Sequence, residues 1–437
     1  MDDPLSITNL FRRITGKVNP SGGGDDNKMT FNSSASVVAS NIDILTLILL
    51  WLPVKSLLVF KLVSKQWFSL ITDLNFTRMY TIRSCRRPIP GLFIQSEFPQ
   101  FLVLDKSNIN VKHVKTRLIN VVNDISIDIK NNRTQILHSC NGLILCHSGR
   151  DTYRVYNPTT GHSKTLPIPS SFYNLRRASS FYHNFSLAFD PMKSSYYEVI
   201  YVQEASPFEV FSHDVEIYSS KTDSWKILEG FQVENSGPLI SSGVFWNGSL
   251  HWMPYGNQLT YFDIDGELLK TMSMPPSAEG MRDEIEYFGE CKGHLYIIHK
   301  ADHRAGEFDI FEMETDYSGW IKRYHVNLNE LAIDLLDEED LKRWSDELFG
   351  IDERVMLDFN VLLVEENEAD SFKLVLRVER KYISYDTKHQ SFKIIFGVSP
   401  SLLTNRPRTT REVLRPRRSL LCSKLNVYQC IDSLASV

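Results

Sequence analysis

Little in this sequence invites covalent chemistry, and its shortages bound what the protein can be. Of 437 residues only six are cysteine, at 85, 140, 146, 291, 422 and 430. They are too few and too scattered for a disulfide framework. The longest largely apolar run, residues 44–52, stops at Pro53. A bilayer span needs roughly 20 residues, so no membrane partner is expected. Residues 1–20 hold no apolar stretch of the secretory kind, which points to the cytoplasm and/or nucleus. Neither charge dominates, with 48 basic against 53 acidic residues and a net charge of −5. No nucleic-acid partner is expected.

Motifs for catalysis are missing too. The twelve histidines form no His-Glu-x-x-His pair, and no paired Cys-x-x-Cys clusters could hold zinc. There is no Gly-x-Ser-x-Gly elbow and no phosphate-binding loop. The expectation is no metal, no cofactor and no catalytic residue. Ser219 to Trp225 resembles the Asp-box turn of sialidase-type propellers but lacks its glycine, so Trp225 is read as packing.

What is present falls into blocks. Residues 1–40 are Gly-, Ser- and Asn-rich and read as a flexible leader. From Ile42, apolar residues recur at Leu45, Leu49 and Leu52, one face of a helix that Asn41 or Asp43 caps and Pro53 stops. Val54–Phe60 makes a second helix, and Ser64 stands as N-cap before a third over Lys65–Ile71. The result is a three-helix module over 41–82. The basic, proline-bearing stretch 83–90 reads as a linker.

Beyond it, residues 91–400 carry short β-like runs that repeat. Cys140-Asn141-Gly142, Trp246-Asn247-Gly248 and Cys291-Lys292-Gly293 each sit between alternating apolar residues, a strong hairpin signal because both central residues need positive φ. A second element, an aromatic followed by a polar turn, recurs at Tyr156, Tyr218, Phe262, Phe311 and Tyr385. Spacings of 44 to 74 residues suggest four-stranded blades of a β-propeller, with an irregular β-sandwich as the alternative. Residues 330–370 interrupt the pattern with 15 acidic side chains, and Leu331–Leu348 has helical spacing. Residues 401–437 read as a basic tail, with six arginines between 406 and 418. The fold class expected is α plus all-β, a small helical module ahead of a propeller-like domain.

Two resemblances add to this. Leu52-Pro53-Val54-Lys55-Ser56-Leu57-Leu58, with Val63-Ser64-Lys65-Gln66-Trp67, resembles an F-box of the kind common in plant proteins. The family's opening Leu-Pro is replaced by Ser40-Asn41, and Leu47 stands at an often acidic position. Ser139–Leu145, Val155–Gly161, Leu187–Pro191, Val215–Ser219 and Val244–Trp252 resemble the kelch-related, F-box-associated domain. The resemblance implies the substrate receptor of an SCF-type cullin–RING ubiquitin ligase. Its helical module would dock on a Skp-type adaptor through Leu52, Pro53, Leu57, Leu58, Val63, Ser64 and Trp67. Its β domain would hold a target protein. Trp252 and Tyr255 are the weak candidates for target contact. Two alternatives stay open, a non-degradative F-box scaffold and a propeller enzyme of glycosidase type.

Overall fold

A computed structural model of the chain describes residues 41–95, 100–104, 135–148, 151–172, 183–204, 212–232, 243–253, 258–275, 285–300, 306–328, 359–367, 371–378, 381–397 and 426–437. The leader, most of the acidic insertion with its expected helix, the arginines at 406–418 and Tyr255 lie outside these residues. The chain divides into two units between Tyr80 and Thr81.

Four helices open the described chain, one more than the sequence periodicity predicts. In α1, Ile42–Trp51, Asn41 is the cap: its side chain accepts from the Asp43 and Ile44 amides, both at 3.1 Å. Leu52 turns extended before Pro53, as the residue ahead of a proline must. α2, Val54–Phe60, follows at once. α3, Lys65–Thr72, is capped by Ser64, whose Oγ accepts from the Trp67 amide at 3.2 Å. Asp73 Oδ1 then accepts from the Asn75 and Phe76 amides at 2.9 and 3.1 Å, starting α4, Leu74–Cys85. Leu45, Leu49, Leu50, Val54, Leu57, Phe60, Ile71, Phe76 and Tyr80 are the buried apolar side chains among the described residues of the first unit. The linker expected over 83–90 is shorter than drawn. Residues 83–85 are the last turn of α4, which runs on because no glycine or proline precedes Pro88.

The second unit is a six-bladed propeller of antiparallel sheets. β3 (Gln135–Cys140), β4 (Leu143–Ser148), β5 (Thr152–Tyr156) and β6 (Ser163–Thr165) form one four-stranded blade. β7 (His183–Ala188), β8 (Glu198–Glu204), β9 (Ser212–Ser219) and β10 (Ser224–Gln232) form the next. Another comprises β11 (Val244–Trp246), β12 (Ser249–Trp252), β13 (Gln258–Asp263) and β14 (Leu268–Ser273). It is followed by β15 (Ile285–Cys291), β16 (His294–Lys300), β17 (Glu307–Met313) and β18 (Trp320–Asn327). The last complete blade is β19 (Phe359–Glu366), β20 (Phe372–Val378), β21 (Lys381–Asp386) and β22 (Ser391–Gly397). The remaining sheet joins β1 (Gly91–Gln95) and β2 (Gln100–Val103) to β23 (Asn426–Cys430).

Both sequence repeats find their places here. The three glycine hairpins join first to second strands, with φ of 44° and 89° at Asn141-Gly142, 48° and 74° at Asn247-Gly248, and 52° and 89° at Lys292-Gly293. The five aromatic-plus-turn elements are the hairpins between third and fourth strands of the five four-stranded blades. Trp225 packs on Tyr218 and Phe185 and donates its indole N–H to the Pro167 carbonyl of the neighbouring blade at 2.7 Å.

The sixth blade corrects the boundary drawn at residue 400. β23 pairs with β1 from Gly91↔Cys430 to Gln95↔Asn426, so a C-terminal strand closes the ring. Residues 426–437 belong to the fold rather than to a tail. Ile431, Ser433, Leu434 and Ala435 are buried. Asn157 Nδ2 donates to the Ser433 and Ala435 carbonyls at 3.1 and 2.8 Å, and Thr159 Oγ1 accepts from the Ser433 amide at 3.1 Å. Gly142 is required where this segment crosses: a Cβ there would lie 2.4 Å from Ser433 Cβ. The arginines upstream dominate the composition of 401–437 and hide a short alternating strand.

Candidate functional site: the helical face and the propeller channel

Helix α1 is apolar nearly all round, with only Asp43 and Thr46 polar. Such a helix buries its whole circumference or meets a partner. Here Leu45, Leu49 and Leu50 are inside, while Ile44, Leu47, Ile48 and Trp51 are exposed at the spacing of a single stripe. Leu47 is 62% exposed. In α2 and the turn after it the pattern repeats. Val54, Leu57 and Phe60 are inside, and Val59 and Leu62 are outside at 61% and 86%. Phe68 of α3 is exposed as well. An apolar surface of this kind marks a contact site.

The seven residues singled out from sequence do not share one environment. Leu57 is fully buried, so it packs the unit and presents nothing to a partner. Leu52 and Leu58 are half-buried, Pro53 and Val63 are exposed, and Ser64 is occupied as the α3 cap. Trp67 is half-buried, edge-on to Phe60 with ring centroids 5.3 Å apart. Sequence reasoning missed Leu47, Ile48, Val59, Leu62 and Phe68. The available signal for Leu47 and Ile48 was the nearly continuous apolar character of residues 44–52, broken only by Thr46, which leaves one face too many for a small core.

In the second unit β3, β11, β15, β19 and β23 line a cavity of about 280 Å³. His138 on its wall accepts the Leu187 amide on Nδ1 at 2.8 Å, and burial lowers its pKa to about 4, so the imidazole is neutral. Glu290 is the single carboxylate of the wall among the described residues. A glycosidase uses two, and the described lining assembles no such pair. Burial pushes the thiols of Cys85, Cys146 and Cys291 up to about 12, which leaves them protonated and weakly nucleophilic. Among the described residues no group of His, Cys, Asp and Glu could hold a metal ion. Trp252, offered as a target contact, is instead fully buried in the blade core with Leu250 and Phe262. It alternates with the polar Ser249 and His251 in sequence, but β12 is covered on both faces.

The family model of the F-box associated beta propeller domain matches residues 98–404. The chain belongs to the F-box-associated β-propeller family. The F-box domain model matches residues 41–79, the helical unit. Among curated relatives, F-box protein At5g07610 of Arabidopsis thaliana is 29% identical, over 83% of this chain and 86% of its own. F-box protein At5g49610 of the same plant is 27% identical, over 63% and 76%. The F-box/kelch-repeat protein At3g17530, also from that plant, is 25% identical over 51% and 57%. The F-box of this chain is thus the unit with the uncovered apolar face, and its associated domain is the propeller.

Proposed function

We propose that this F-box protein is the substrate-recognition subunit of an SCF-type cullin–RING ubiquitin ligase, acting in the cytoplasm or nucleus. The F-box unit docks on a Skp-type adaptor and the propeller holds a target protein. The observation that carries this reading is the exposed apolar surface of Leu47, Ile48, Val59, Leu62 and Phe68. Burying each such side chain is worth about 1.5–3 kcal/mol. Four or five together offset the roughly 4–15 kcal/mol that association costs. The chain then acts by proximity. Holding a target lysine near a ubiquitin-charged enzyme raises its effective concentration, and no residue here has to form a covalent bond.

Co-purification with a Skp-type adaptor tests the docking, and reconstituted ubiquitination of a captured target tests the receptor role. The wild-type chain is expected to retain adaptor through gel filtration, and Val59→Asp with Leu62→Asp to lose it. An adaptor complex that these substitutions leave intact would overturn the assigned surface. A complex that binds its target without transferring ubiquitin to it would overturn the receptor role.

A further inference from the structure

Among the described residues, the lining of the propeller channel includes the carboxylate residue Glu290 but neither lysine nor arginine. Glu290 accepts from the Gly293 amide at 2.7 Å, and among the described residues no ion pair holds it. His294, near enough to act on it, is itself bound to Glu312 at 2.5 Å. Burial accordingly raises the pKa of the Glu290 carboxyl. Glu290 is half-buried with no ion-pair partner among the described residues, and a cation that reaches it gains a charge-assisted hydrogen bond.

The wall also offers acceptor oxygens. Asn141 donates one amide N–H to the Phe189 carbonyl at 2.7 Å, and Gln429 donates one to the Glu290 carbonyl at 3.0 Å. The Tyr428 hydroxyl donates to the Ile136 carbonyl at 2.6 Å. Asn141 and Gln429 keep their carbonyl oxygens and one N–H each, Tyr428 keeps an acceptor oxygen, and neutral His138 keeps its Nε2–H. A lysine ammonium brings three donors and an arginine guanidinium five, with no acceptor on either. Phe245, Phe288 and Leu362 give the wall apolar surface along which an alkyl stem can lie.

We propose that the channel is a binding site for a cationic side chain, lysine or arginine, supplied by the captured polypeptide, with Glu290 as its counter-charge. The proposal rests on the receptor reading for the source of that side chain. It does not depend on adaptor docking.

Calorimetric titration of the full chain decides it. The probes are butylammonium, butylguanidinium, butanol as their neutral isostere, and short peptides carrying one central lysine or arginine. The cations are expected to bind saturably where butanol does not, and a basic peptide to bind about tenfold or more tighter than the free cation. Glu290→Gln is expected to weaken both by about tenfold or more, the scale of a charge-assisted hydrogen bond. The amide keeps an oxygen for the Gly293 N–H, and an unchanged melting temperature checks that the propeller stays folded. Equal behaviour of butylammonium and butanol, or an undiminished Glu290→Gln, would overturn the site. Peptides no tighter than free amine would overturn a polypeptide as the source. Adaptor binding, measured on the same samples, scores the receptor reading separately.

Discussion

The two units treat apolar side chains in opposite ways. Among the described residues, eleven large apolar side chains are exposed in the short helical unit and six in the much longer propeller. The propeller buries its apolar residues in successive inter-blade clusters, such as Phe308, Phe359, Val361 and Phe372, or Val202, Leu250, Trp252 and Phe262. The helical unit has too few layers to do so, because a domain of its size cannot cover every face of an apolar helix. A domain that buries its own apolar residues thus follows a module that leaves many of them exposed.

The largest effect should come from unlocking the scaffold. Deleting residues 426–437 removes β23 and the Asn157–Ser433 bonds. The β1 amides should then lose hydrogen-exchange protection and the propeller its cooperative unfolding. Retained protection at Leu92 and Ile94 would show that the ring closes without this strand.

Acid should act next. His138 and His251 are both buried with pKa values lowered to about 4 by desolvation. Their unfolded pKa is about 6.5, so the unfolded state takes up protons first and stability falls as pH drops from 6.5 toward 4. Each should remove on the order of 2 kcal/mol by pH 5. Melting of wild type and His138→Asn at pH 7 and pH 5 checks the sign, since the variant should lose less on acidification.

A smaller, sharper contrast compares two glycines. Gly142 and Gly293 share a φ of 89°, but a Cβ at Gly142 meets Ser433 Cβ at 2.4 Å and one at Gly293 meets nothing within 4 Å. Gly293→Ala should cost about 1–2 kcal/mol in left-handed strain. Gly142→Ala should cost that plus a steric penalty, about 1–3 kcal/mol more. Equal melting temperatures would mean the C-terminal segment is not pressed against that hairpin.

Where sequence reasoning succeeded, the signal was local. Asn141-Gly142 and Asn247-Gly248 demand left-handed backbone, so they name their hairpins without reference to any neighbour. The aromatic-plus-turn elements do the same for third and fourth strands. The closing blade escaped because Val427 pairs with Ile94, and no local pattern announces a partner that distant in the chain. Of the seven residues expected at the contact, Leu57 is buried and Ser64 caps α3, while Pro53 and Val63 are exposed. Spacing along residues 42–52 reveals helix faces, yet a helix apolar all round does not say which one turns inward. Leu57 was therefore read as contact and is core, while Leu62, two residues beyond α2, is the more exposed of the two.

The smallest effect on stability and the largest on function should coincide at that face. Leu62→Asp and Val59→Asp change exposed positions, so each should alter folding stability by no more than about 0.5 kcal/mol. Leu57→Ala empties a buried one and should cost about 2–5 kcal/mol. The decisive measurement is the affinity of a Skp-type adaptor for the Val59→Asp, Leu62→Asp double variant, taken with its melting temperature. The account predicts adaptor binding weakened by about a hundredfold or more at an unchanged melting temperature. Wild-type affinity in that variant would contradict it.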